Sequence, residues 1–131
     1  MIGIYVHNSI GIPYADAIVE GGKTVETRTR DVLGRFVGKT VAIVRTRDRH
    51  PADIVGIVHI SHKKFCTKEE LDGMRDKTCI PPGSKFDCDG RGKWCYFLDE
   101  YMRLLKPIPL SEVKIVKRNM SWVEFEFKEG E

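Results

Sequence analysis

A lysine, a glutamate and an arginine are packed into one short stretch, Gly22-Lys23-Thr24-Val25-Glu26-Thr27-Arg28. If this stretch is an extended strand, side chains alternate, so Thr24, Glu26 and Arg28 share one face while Val25 and Thr27 take the other. Arg30 continues the polar row if the strand persists, and Lys23, at the turn into the strand, can reach over the same opening. A carboxylate beside a lysine and an arginine stays ionised. Such a cluster accepts from the exocyclic amine of a nucleobase and donates to a carbonyl or a phosphate. With Glu26 beside it, Lys23 is also a candidate general base, because burial lowers a lysine pKa. The same row reads equally as a surface ion-pair ladder, which contributes little to stability.

Other residues offer other chemistry. Between Arg28 and Arg49 there are seven basic and two acidic residues, Arg45 among the former, whereas the end of the chain is acidic at Glu124, Glu126, Glu129 and Glu131. A basic surface attracts an anionic partner such as a nucleic-acid backbone, and a solvated charged face is the alternative. A nuclease could draw on His7, His50, His59 or His62, with Lys23 and the arginines holding phosphate. His59 and His62, three residues apart, are expected on opposite faces of a strand. With Cys66, Cys79, Cys88 and Cys95 they could be assembled into a zinc site, but no C-x-x-C pair is present and neither metal nor cofactor is expected. Tyr14, Trp94, Tyr96 and Trp122 are candidates for stacking on bases, and core positions otherwise.

The elements that must position these residues follow from periodicity and turn chemistry. The alternation over residues 2–7 reads as a strand. Pro13 suits the first turn of a short helix over 14–20, stopped by Gly21-Gly22. Strands are expected over 24–29, 39–46 and 54–62, with a turn over 48–52. Thr67-Lys68-Glu69-Glu70 has the form of a capping box and so predicts a helix start. Residues 76–93 read as a long irregular loop. Residues 94–105 are ambiguous between helix and strand and end at Pro107-Ile108-Pro109. Strands over 113–116 and 122–127 close the chain, the last with Val123, Phe125 and Phe127 facing inward. The whole is expected to be one domain of 131 residues, mainly β with short helices, in a closed, partly open barrel. No apolar run is long enough for a membrane span. With no leader pattern, a cytoplasmic protein with reduced cysteines is expected.

The run from Pro13 through Gly21-Gly22-Lys23-Thr24-Val25-Glu26-Thr27-Arg28 resembles the signature of the ASCH family of the PUA-like superfamily: a short helix, then G-x-K-T-x-E-x-R entering a strand. Gly38-Lys39-Thr40-Val41-Ala42-Ile43, the segment 96–105 with its P-x-P turn, and Trp122-Val123-Glu124-Phe125 resemble later strands of the family in the same order. The resemblance implies a PUA-like β-barrel with a cleft lined by Lys23 and Glu26, and it makes 96–105 mainly strand. It implies RNA or a nucleoside-like ligand as partner; with the strand-face and charge reading above, the residues expected to bind it are Lys23, Thr24, Glu26, Arg28, Arg30, Tyr14 and Arg45. Some small single-domain members hydrolyse the amide of acetylated cytidine, and ribonuclease activity is also attributed to the family. That makes a small hydrolase using Lys23 and Glu26 the alternative, and a protein-interaction module a third. The hydrolytic relatives carry threonine where this chain has Glu26. A second carboxylate for such a site would come from Glu69 or Glu70.

Overall fold

The structure, a computed structural model, describes residues 1–128, so Glu129 and Glu131 of the acidic end lie outside the described residues. In chain order the elements are β1 (Ile2–His7), α1 (Tyr14–Val19), β2 (Val25–Arg28), a 3-10 turn (Gly34–Phe36), β3 (Thr40–Arg47), β4 (His50–Cys66), α2 (Lys68–Asp72), α3 (Arg75–Thr78), β5 (Lys93–Pro109), a second 3-10 turn (Leu110–Glu112), β6 (Val113–Arg118) and β7 (Trp122–Phe127). The strands form one seven-stranded mixed sheet in the order β2-β5-β4-β3-β1-β7-β6. The β1–β3 pair is parallel and the other pairs are antiparallel.

The apolar run Val41-Ala42-Ile43-Val44 lies on β3 near the sheet centre, where both faces are covered. Val41 and Ile43 join Ile4, Val6 and the buried face of α1 on one side, and Ala42 and Val44 join Ile54, Val123 and Phe125 on the other. Burial on both faces is why this strand is a continuous apolar run and not an alternating one. α1 covers the first of these faces with Tyr14, Ala15, Ile18 and Val19, and Pro13 stands one position before it, at the N-cap. The expected capping box is present at α2: Glu70 N–H donates to the Thr67 hydroxyl while the Glu70 carboxylate accepts from Thr67 N–H.

The fit of α1 on the sheet depends on Gly56. A Cβ there would stand 2.3 Å from the Met102 carbonyl oxygen and 2.6 Å from Val19 Cγ1. Neither the β5 backbone nor the helix can yield cheaply, so Gly56→Ala should destabilise the protein by about 1–3 kcal/mol. Urea unfolding checks this; an unchanged midpoint would mean that α1 can shift on the sheet.

The sheet is not closed into a barrel, contrary to the expectation from sequence. β2 at one edge has no backbone pairing with β1, although the curl of the sheet brings them to face one another. A side chain bridges the gap, the Arg28 guanidinium donating to the Tyr5 carbonyl oxygen at 2.5 Å. A barrel needs a continuous hydrogen-bonded seam, and here the seam is replaced by an opening. Residues 94–105 are strand, as the resemblance implied, but Pro107-Ile108-Pro109 does not end it. β5 runs on to Pro109 because the pairing skips from Gly56↔Arg103 to Ile54↔Ile108, and a bulge is where a residue without an N–H is tolerated in a ladder. β4 likewise starts earlier than expected, at His50, and takes in Pro51. Among the described residues no helix is long and apolar enough to cross a membrane.

Candidate functional site

The gap between β2 and β1 is the mouth of a cavity of about 630 Å³. Tyr5, Val6 and His7 of β1 wall one side and Glu26, Thr27 and Arg28 of β2 the other. Tyr14 and Lys23 lie between them, Ile80 and Phe86 come from the loop after α3, Arg118 ends β6, and Asn119 and Met120 come from the turn between β6 and β7. An apolar cavity with a few convergent polar groups is the usual form of a small-ligand site.

Lys23 is buried, at 2% exposure. Its ammonium donates to the Val25 carbonyl at 2.8 Å and the Thr78 carbonyl at 2.5 Å, and stands 3.5 Å from Glu26 Oε1. Three acceptors match the three N–H bonds of a protonated lysine. Burial pulls the Lys23 pKa below the ordinary lysine value while Glu26 opposes it, yet no direction is left open for a lone pair. Glu26 Oε2 accepts from Arg28 Nε at 3.3 Å and Nη2 at 3.0 Å. Burial alone would raise the Glu26 pKa, but Arg28 and Lys23 outweigh it and hold the carboxyl below its usual value. The result is a fixed, ionised acceptor at the cavity wall, with Arg28 as a donor beside it.

Tyr14 adds the most direct sign of a ligand. It is 4% exposed and its hydroxyl has no hydrogen-bond partner. Phe86 packs edge-on against its ring at 5.8 Å, and Lys23 Nζ lies 5.2 Å from the ring centroid. Burial, then Cys79 and Glu26, push the phenol pKa up, so the group is a neutral donor. A buried hydroxyl without a partner costs about 1–3 kcal/mol. Tyr14→Phe should therefore leave the ligand-free protein as stable, or more stable by about 1 kcal/mol, while weakening ligand binding severalfold. Paired thermal unfolding and binding measurements check both signs, and a variant that loses stability with unchanged affinity would overturn the assignment.

The loop over 76–93, whose role the sequence left open, lines this cavity. It opens with α3, and Asp87 then ties it down, accepting from Arg75 Nη1 at 3.0 Å, Gly83 N–H at 2.7 Å and Cys88 N–H at 2.9 Å. Arg75 and these N–H groups hold the Asp87 carboxyl down to about 2. Lys23, through Thr78, fixes the end of α3 from below, and Lys93 Nζ donates to the Phe86 carbonyl at 2.5 Å. The motif lysine thus sets the position of the loop as well as that of Glu26.

Of the residues singled out from sequence, the structure brings Lys23, Glu26, Arg28 and Tyr14 together. Thr24 lies outside the cavity, its backbone bonded to Lys77 and Leu98. Arg30 is exposed beyond the end of β2. Arg45 is far from free: Nε and Nη2 bind Asp53 at 2.9 and 2.6 Å, and Nη1 binds Asp16 at 3.0 Å. Glu70 caps α2, and neither it nor Glu69 lines the cavity. Tyr96 is wholly buried, its hydroxyl donating to Asp31 Oδ1 at 2.7 Å. Trp94 packs against Phe65, and Trp122 is in the core.

His59 and His62 share a face after all, because register shifts in β4 reset the alternation and set them opposite Asp99 and Phe97. Their rings have different partners. His59 Nδ1 is 2.7 Å from Asp99 Oδ1, and the His62 ring stacks on Phe97 at 4.3 Å. Cys66 and Cys95 are buried beside Val25 and Leu71, and all four cysteines are free thiols. Sequence reasoning missed Tyr5, Phe86, Lys93 and Asn119 at the cavity, since they come from separate elements and carry no local motif; the unusual length of the loop was the one available signal.

Three crystal structures of an ASCH protein from Zymomonas mobilis are similar to this chain over 83% of its length. One single-residue mutant gives a TM-score of 0.66 at 20% identity, covering 75% of that chain. Another gives 0.65 at 19% over 76%, and the protein itself 0.64 at 19% over 74%. No protein-family model matches the sequence, and no curated protein matches it. The chain has an ASCH-like fold.

Proposed function

We propose that this protein binds RNA or a modified nucleoside, holding one base in the cavity between β1 and β2. The observation that carries the reading is the pairing of a fixed carboxylate with an unpartnered buried hydroxyl in one aromatic-walled cavity. Glu26 accepts from a ring N–H or exocyclic amine, Arg28 donates to a carbonyl, and Tyr14 supplies a further donor. Phe86 and Tyr14 offer ring faces and edges against which a flat heterocycle packs. The ASCH-like fold is consistent with this use, and the function is argued from the site.

The geometry favours binding over the alternative of a small amide- or phosphodiester-cleaving hydrolase. General-base catalysis needs a group able to take a proton in the cavity, and the Lys23 ammonium is committed to two backbone carbonyls and Glu26. The threonine of the hydrolytic relatives is replaced by Glu26, whose carboxylate is in turn held by two cations. The test is to titrate the purified protein with acetylated cytidine, with the ordinary ribonucleosides and with a short mixed-sequence RNA, and to follow the masses of all of them. Saturable binding with unchanged masses is expected. Deacetylated or shortened product from the wild-type protein would replace this reading with the hydrolase, and absence of any binding by folded protein would remove both.

A further inference from the structure

A second, smaller depression of about 350 Å³ lies beyond the β6–β7 turn from the main cavity. Its floor is Trp122, 5% exposed and packed edge-on against Phe36 at 5.4 Å. Two cations lie over the same indole: the Arg35 guanidinium at 5.1 Å from the ring centroid and Lys117 Nζ at 6.0 Å. Lys39 lines the depression as well, and Glu124 is the carboxylate in its wall.

Three basic residues and one carboxylate line the depression. Lys63, Lys64, Lys68, Arg75 and Arg103 each stand within ion-pair distance of an aspartate or glutamate. Among the described residues, Arg35, Lys39 and Lys117 form no such pair, which is also true of Arg30, Lys77, Lys85 and Lys114; what sets the three apart is that they converge on one depression, where the single carboxylate is Glu124, the cross-strand neighbour of Lys117. Two like charges held over one ring repel each other, and the ring quadrupole offsets this only in part. A bound anion between them would remove the repulsion, and a phosphate presents oxygens to both a guanidinium and an ammonium at once.

The depression is also placed to work with the main cavity. Lys117 faces it, and the next residue, Arg118, lines the main cavity. On β1, Ile2 lines the depression and Val6 the main cavity, which sets the two openings about 13 Å apart along the strand at ~3.3 Å per residue. A few nucleotides of an extended single strand cover that span.

We infer that the Trp122 depression is a phosphate-backbone site, and that the ligand of the main cavity is presented as part of a single strand that runs over the β6–β7 turn with its phosphodiesters on Arg35, Lys39 and Lys117. This inference rests on the cavity reading and selects RNA over a free nucleoside as the ligand. Each phosphate contact adds affinity that falls with salt, about 0.7 in the slope of log K against log salt for a single strand.

The experiment compares a mixed-sequence hexaribonucleotide with the free ribonucleosides, on the wild-type protein, Lys39→Gln/Lys117→Gln and Glu26→Gln, across a salt series. Lys39 and Lys117 are both exposed, so their replacement leaves the core intact. The wild type should bind the hexanucleotide more tightly than any nucleoside. The double variant should lose about tenfold in hexanucleotide affinity at low salt and about 1.4 in the salt slope, with nucleoside binding unchanged. Unchanged hexanucleotide affinity and slope in the double variant, or a wild type that binds nucleosides as well as the hexanucleotide, would overturn the inference and leave the cavity reading standing. If the lysine variant weakens hexanucleotide binding but Glu26→Gln does not, the depression binds phosphate and the cavity reading fails by itself. No binding of any probe by folded wild type overturns both.

Discussion

Lys23→Met is expected to lower the unfolding free energy by about 3–5 kcal/mol, the usual result of removing one partner of a buried ion pair. The residue is 2% exposed and its ammonium serves three acceptors on two elements of the site, β2 and α3. Methionine fills much the same volume, so the loss is one of charge and hydrogen bonds and little of it comes from a cavity. It strands two backbone carbonyls, Val25 on the sheet edge and Thr78 at the end of α3, and buried carbonyls without partners are costly. It also leaves Glu26 with Arg28 as its remaining cation. The loop carrying Ile80 and Phe86 should loosen with it, because Thr78 is where that loop is pinned. Urea unfolding gives the free energy, and hydrogen exchange over residues 78–88 gives the local effect. Adding Glu26→Gln to Lys23→Met should recover none of the loss, since Arg28 still pairs with Glu26 at 3.0 Å in the single variant and loses its counter-charge in the double one. A single-variant cost below about 1 kcal/mol would place this pair with ordinary surface salt bridges and sink its role as the anchor of the site.

Glu26→Gln should reduce the affinity for the bound nucleoside or RNA by about ten- to a hundredfold, the equivalent of one or two hydrogen bonds to a charged group. The amide keeps the shape but turns half of the acceptor into a donor, aimed either at the ligand or at one of the two cations. Because Lys23 and Arg28 lose their counter-charge, the variant will also be less stable. The comparison therefore belongs at a temperature where circular dichroism shows it folded. The wild-type affinity should carry the same signature in its pH dependence. Arg28 and Lys23 hold the Glu26 carboxyl below its ordinary value of 4.5, so the ionised acceptor is fully present above that value. Its contribution to binding and to stability is lost only as pH falls below 4.5, through the depressed value of the folded state. Affinity that already fell between neutral pH and 5 would point to a different titrating group.

Much of this molecule is written locally in its sequence. The short helix after Pro13, the capping box at Thr67–Glu70, the central apolar strand and the motif Lys23-Thr24-Val25-Glu26-Thr27-Arg28 each depend on neighbours in the chain, and alternation by itself set Glu26 and Arg28 on one face. The resemblance carried by that motif led to the ASCH-like fold. What needed the tertiary structure was everything that depends on residues far apart in the chain. Whether a curled sheet closes is settled by how the edge strands meet, and here Arg28 and a cavity stand where a hydrogen-bonded seam was expected. Register shifts in β4 and β5 placed His59 and His62 on one face and carried β5 through two prolines, because a bulge is fixed by the partner strand and leaves no local pattern. Arg45 looked like part of a basic surface until folding set Asp53 and Asp16 around its guanidinium. Lys23 looked like a candidate base until α3 brought the Thr78 carbonyl to it, across 55 residues of chain. Periodicity reports which way a side chain points; which groups meet it there is decided by contacts between distant segments, and those contacts set its charge state and its role.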